Sequence, residues 1–170
     1  MKIIKLAAAA LLLGSSLIAA DIAVSAPRSK VQFTLEHTVL GTVNGNFGTF
    51  KGTLTTGNSG RVTALVGTVD TASINTDNSK RDDHLRNADF FDAPKNPQIA
   101  FQSTEADATS VTGNLTIHGV TKPVKLTYTK LDTQEYIFKG AINRIDFGVG
   151  EPKSLTNMVG NEVAITVTIR

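Results

Sequence analysis

The sequence predicts an all-β fold: an antiparallel barrel of about eight strands with one short helical cap between them. Stretches of alternating polar and apolar residues recur along most of the chain. Short turn-forming segments separate those stretches. One charged, helix-like run, residues 78–92, interrupts the pattern and is the part a sheet explains least.

In chain order, the first twenty residues read as an export leader, not as part of the fold. Lys2 and Lys5 supply a positive start, residues 6–13 an apolar stretch, and residues 15–20 a small-residue tail suited to cleavage after Ala20. That stretch is too short to cross a bilayer and no second one follows. Residues 21–170 are then expected to be one exported domain, placed in the periplasm. Losing Lys2 and Lys5 takes the 17 basic residues to 15, equal to the 15 acidic ones. A neutral chain gives a nucleic-acid partner little electrostatic support. With no cysteine, disulfides, thiolate nucleophiles and cysteine metal sites are all excluded.

Period-two alternation places alternate side chains on opposite faces of a strand. Val31, Phe33, Leu35 and His37 share one parity. Val111, Leu115 and Ile117 share a face, as do Val124, Leu126 and Tyr128, and the series Tyr136, Phe138 and Ile142 continues to Arg144. At the C-terminus Val163, Ile165, Val167 and Ile169 face one way. Residues 56–60, 118–123 and 131–135 carry the turn chemistry that joins antiparallel neighbours. Gly45, Gly48 and Gly52 lie within 42–55, where they let one long strand coil as barrel closure demands.

The charged run reads as a helix followed by a turn. Asn78 or Ser79 is the expected N-cap, with Asp82 and Asp83 in the first turn where negative charge suits the helix dipole. Leu85, Ala88, Phe90 and Phe91 supply an apolar side, and Pro94 and Pro97 stop the helix before strand resumes at 98–104. The pattern fits an amphipathic cap across one barrel end. It also fits a solvated helical face of local ion pairs.

The run Arg-Asp-Asp-His-Leu-Arg-Asn-Ala-Asp-Phe-Phe-Asp at 81–92, followed by Pro-Gln-Ile-Ala-Phe-Gln-Ser-Thr at 97–104, resembles the signature of YceI-like proteins. Residues 113–122, the stretch Arg144 to Gly148, and Phe33, Leu35, Glu36 and His37 are similar to further family motifs, in the same order. The resemblance implies a lipocalin-like eight-stranded barrel, partly closed by a helix, that holds a long apolar molecule such as a polyisoprenoid, a quinone precursor or a fatty-acid derivative. It also allows a homodimer. No catalytic set comes with it.

A barrel of this size either fills with side chains or holds one slender ligand. Gly113, Gly140 and Ala64 on inward faces favour incomplete filling, and each CH₂ removed from water contributes about 0.8 kcal/mol. The candidate contacts on strands are Phe33, Leu35, His37, Phe47, Phe101, Tyr128, Phe138, Ile142 and Arg144. On the cap they are Arg81, Asp82, His84, Phe90 and Phe91, where a head group can meet donors. His37 also reads as a hydrogen-bonded structural histidine, and Arg144 with Asp146 as a structural ion pair or strand-end contacts. A filled, purely structural barrel is the rival reading. A metal enzyme built on His37, His84 and His118 is a weaker one, because their spacing matches no metal motif. No cofactor and no catalysis are expected.

Overall fold

Three long chain stretches each bend once, and those bends set the architecture. The computed structural model describes residues 19–150 and 158–170. β1 (Ala20–Ser25) and β2 (Lys30–His37) form the first bent row. β3 (Gly41–Phe47) and β4 (Phe50–Thr56) form the second, and β5 (Val62–Asp70) with β6 (Ile74–Asn75) the third. All pair antiparallel, β1 and β5 on either side of β4, β2 and β6 on either side of β3. The second and third corners are stitched together: the amides of Gly48 and Thr49 donate to the carbonyl and hydroxyl of Ser73 at 3.1 Å each. The Asp70 amide returns a bond to the Thr49 carbonyl at 2.9 Å.

Five unbroken strands complete the ring: β7 (Gln98–Ala106), β8 (Ser110–Ile117), β9 (Val120–Lys130), β10 (Tyr136–Asn143) and β11 (Val159–Ile169). Each pairs with the next, β7 pairs with β5, and β11 returns to β2 with Thr168 opposite Lys30. Among the described residues the sheet therefore has eleven hydrogen-bonded strands in eight rows. The expected count of eight matches the rows; the three corners create the rest. At each corner the inward parity slips by one residue, as from Val43, Gly45 and Phe47 to Phe50 and Leu54 in the second row, and reading 42–55 as one strand passes over that slip. The single coiling strand expected over 42–55 is instead broken at Gly48 and Thr49. β1 had no strong sequence signal. The expected leader lies outside the described residues except at its end, where Ala20 already pairs with Thr56 in β1.

The turns follow the local sequence. His118 and Gly119 both adopt positive φ, 52° and 75°, closing a two-residue hairpin between β8 and β9. The Gly57 amide donates to the Arg61 carbonyl at 2.8 Å and the Leu131 amide to the Glu135 carbonyl at 2.8 Å, closing the turns at the opposite end. At that end the interior is solid. Leu54, Val62, Val111, Phe138 and Ile169 are fully buried. The Tyr136 hydroxyl donates to the Gly60 carbonyl at 2.8 Å, and the Tyr128 hydroxyl accepts from the Val62 amide while donating to the Asp107 carbonyl, both at 3.2 Å. Each phenol thus sits in an apolar floor with its polar tip satisfied.

α1 (Ser79–Arg86) lies at the other end, following β6. Asn78 is its N-cap, its side chain accepting from the Arg81 amide. Asp82 falls in the first turn as expected. No helix among the described residues is long and apolar enough to cross a membrane.

Candidate ligand-binding site

Between the solid floor and the helix lies a cavity of about 330 Å³ whose wall takes residues from all eight rows. That volume is within the range of small-molecule sites. Val31, Phe33, Leu35 and His37 all reach it from one face of β2, and Val163, Ile165 and Val167 from β11. The inward parity of each strand is shared between cavity and floor: on β8 Leu115 and Ile117 line the cavity, while Val111 belongs to the floor. The interior is therefore filled at one end and open at the other, which departs from the filled-barrel reading.

The cap closes the open end through its aromatic residues. Phe90 and Phe91 follow α1 and are docked by their own backbone, the Phe90 amide on the Asn87 carbonyl and the Phe91 amide on the Leu85 carbonyl, each at 3.0 Å. Phe91 meets Phe47 edge-on at 6.3 Å between ring centroids, and Phe47 meets Phe33 at 5.6 Å. A side chain at Gly45 would collide with the Phe33 ring, at 2.2 Å from an added Cβ. Glycine at that position gives Phe33 its room. His84 stands edge-on to Phe90 at 4.9 Å.

Polar groups sit around the cap and the start of β11. Asp82 is buried and does not face the cavity; its carboxylate accepts from the Thr76 amide at 2.9 Å and the Thr76 hydroxyl at 2.6 Å. Thr76 in turn accepts from Arg81, whose Nε reaches the hydroxyl at 2.8 Å and whose Nη2 reaches the carbonyl at 2.7 Å. Arg86 fastens α1 to the third corner, donating to the carbonyls of Ala72 at 2.8 Å and Ile74 at 2.9 Å, and pairs with Asp83 at 2.9 Å. The solvated-face reading of the cap thus holds for Asp83, whereas Arg86 is half-buried against the corner. Arg81 and His84 line the cavity.

Arg144 is buried in a short helical turn after β10. Its Nε donates to Gly160, Nη1 to Val149 and Gly150, and Nη2 to Val159 and to the Asn161 side chain, at 2.7 to 3.3 Å. All five N–H groups of a guanidinium are accounted for. Burial pushes its pKa below the ordinary arginine value. Of the two expectations for Arg144, an ion pair with Asp146 is absent among the described residues, where Asp146 is exposed, while strand-end contacts are present: carbonyl oxygens, two of them at the start of β11, take the guanidinium.

Of the fourteen candidates, Phe33, Leu35, His37, Phe47, Phe90, Phe91, Phe101, Ile142, Arg81, His84 and Arg144 line the cavity. Tyr128 and Phe138 do not: they pack on each other in the floor, because parity shows which side a residue faces but not its height along the barrel. Asp82 does not either, being turned onto Thr76. The candidate set omitted further wall residues, among them Phe50, Phe147, Thr76 and Leu40. The signal for Thr76 was its place just before an Asn78 N-cap. The three histidines are dispersed: His37 Nδ1 accepts from the amides of Val39 and Leu40 at 3.1 Å each, His84 packs on Phe90, and His118 makes its hairpin. Among the described residues no group of three His, Asp or Glu side chains is placed to hold a metal ion.

The family model for the YceI-like domain matches residues 23–170. The chain belongs to the YceI-like family. A UPF0312 protein of Pseudomonas aeruginosa is 37% identical over 131 residues, 69% of each chain. Protein YceI of Escherichia coli O157:H7 is 40% identical over 101 residues, 56% of this chain and 53% of that one. Among solved structures, BcnA of Burkholderia cenocepacia superposes with a TM-score of 0.70 at 27% identity, covering 83% of this chain and 94% of its own. A polyisoprenoid-binding domain from Saccharophagus degradans superposes with a TM-score of 0.63 at 13% identity, covering 88% and 95%. That domain shares the fold.

Proposed function

We propose that this YceI-like protein is an exported carrier that holds one long apolar molecule, a polyisoprenoid, quinone precursor or fatty-acid derivative, with its tail in the barrel and its head at the helical cap. The observation that carries this reading is the cavity itself: a volume walled by Val, Leu, Ile and Phe from every row, stopped at one end by a solid floor. A single floor and a single capped end suit a molecule with one polar head. Burial of the tail supplies the affinity, at about 0.8 kcal/mol for each CH₂ withdrawn from water. The relative from Saccharophagus degradans is described as polyisoprenoid-binding, which agrees with this reading; the lining residues of this chain are its main support. The leader-like residues 1–20 support export to the periplasm.

Organic extraction of the purified full chain, followed by mass spectrometry, tests the proposal. A stoichiometric long-chain compound is the expected result. Protein that arrives empty and takes up no hydrophobic probe sinks it.

A further inference from the structure

Several arginines stand near the capped end of the cavity, and the structure distinguishes their tasks. Arg144 has every N–H engaged by the protein, so it has none to offer a ligand. Arg86 is tied to Ala72, Ile74 and Asp83. Arg81 differs. Its Nε and Nη2 each make one bond to Thr76, and among the described residues Nη1 has no partner. Its side chain lines the cavity while remaining partly open to solvent.

The anchoring is what makes this group a reader and not a loose surface charge. Asp82 accepts both the amide and the hydroxyl hydrogen of Thr76, which fixes Thr76 and, through it, the plane of the Arg81 fork. The carboxylate of Asp82, its neighbour in sequence, is thereby engaged with Thr76, and among the described residues Arg81 forms no ion pair. A planar guanidinium with free, oriented donors matches the two oxygens of a carboxylate or phosphate. His84, one turn further along α1, also lines the cavity and stands on Phe90 beside the same entrance.

We propose that Arg81 binds a terminal oxyanion on the cargo, so that the protein selects long-chain acids, carboxylic or phosphoric, over neutral molecules with the same tail. The inference rests on the carrier reading above. It assigns the head-group contact to Arg81 and withdraws it from Arg144.

The test is equilibrium binding to the delipidated full chain of three probes with one tail: hexadecanoic acid, hexadecyl phosphate and hexadecanol. An oxyanion held by charge-assisted bonds should bind about tenfold or more tighter than the alcohol. Arg81→Gln should erase that preference, and Arg81→Lys should keep part of it. Lys80→Gln, which removes an exposed charge outside the cavity lining, should leave the preference intact. The two acidic probes separate a carboxylate reader from a phosphate reader. Equal binding of all three by the unaltered protein, or a preference that Arg81→Gln leaves in place, overturns the assignment to Arg81 while the carrier reading stands. Failure of all three to bind counts against the carrier reading itself. Should Arg81→Gln fail to fold, the acid-to-alcohol ratio of the unaltered protein and the Arg81→Lys variant decide.

Discussion

Tyr128 and Phe138 are cross-strand partners on β9 and β10 with ring centroids 5.6 Å apart, and together they mark where the solid floor of the barrel ends. Phe138 is fully buried and absent from the cavity wall, whereas Phe33 is half-buried and lines it. The two phenylalanines should therefore separate stability from binding.

Phe138→Ala is expected to cost about 3–5 kcal/mol, the usual range for emptying a packed aromatic site. The fraction that stays folded should bind a hydrophobic probe as tightly as the unaltered protein. Phe33→Ala should do the reverse, because Phe33 already faces open space: a smaller loss of stability and a clear loss of affinity. Urea unfolding and probe titration on both variants check this. A Phe138→Ala protein that is stable but binds poorly would place the pair in the wall.

Arg144 joins the turn after β10, the carbonyls of Val149 and Gly150, and the first residues of β11. Lysine at that position has three donors on a point charge and cannot span the same acceptors. Arg144→Lys should therefore destabilise the protein by about 3 kcal/mol, since it strands buried carbonyls around a poorly placed charge. Amide exchange should accelerate first at Gly148 and Val149, whose backbone donors close this turn on Ile145 and Arg144. Unchanged exchange there would show that the network is not holding the turn.

Much of this division was legible in the residues, and the remainder was hidden for physical reasons. Alternation on β2 correctly put Phe33, Leu35 and His37 on the inside, and the charged run with its Asn78 cap became α1. Period two has no memory of position along the strand, so Tyr128 and Phe138 read like cavity residues. A corner such as Gly48 and Thr49 shifts the inward parity by only one residue, from Phe47 to Phe50, within a glycine-rich stretch, so three bent rows read as single strands or were overlooked. The contrast between Arg81 and Arg144 was also out of reach, because it depends on which carbonyl oxygens the fold brings within 3 Å of each guanidinium. Backbone acceptors carry no sequence identity.

Asp107 gives the hairpin between β7 and β8 an acid-sensitive joint. The Ser110 hydroxyl at 2.6 Å, with the amide of Thr109 and then the remaining donors of this turn, holds its carboxyl well below the usual carboxylate range. A depressed carboxylate stabilises the folded state above its unfolded pKa of about 3.9 and loses that contribution as pH falls toward the folded value. Stability measured from pH 5 downward should thus fall less steeply in Asp107→Asn than in the unaltered protein, with no difference in slope between pH 5 and 8. Parallel curves below pH 4 would remove the assignment.

His37 ties the edge of the entrance to the wall. Its Nδ1 accepts from the amides of Val39 and Leu40 at 3.1 Å each, so the proton of the neutral ring lies on Nε2. Leu40 is 58% exposed and lines the cavity, so the turn that His37 closes is part of the entrance. His37→Leu removes the shared acceptor, but both amides can turn to water, and the cost to global stability should stay near 1 kcal/mol. The larger effect should be local: faster exchange at Val39 and Leu40, and faster release of a bound hydrophobic probe. Asparagine offers an oxygen that can accept from amides two and three residues ahead. His37→Asn should therefore restore slow exchange and slow release, whereas a histidine acting mainly through its ring in the wall would leave both variants equally impaired.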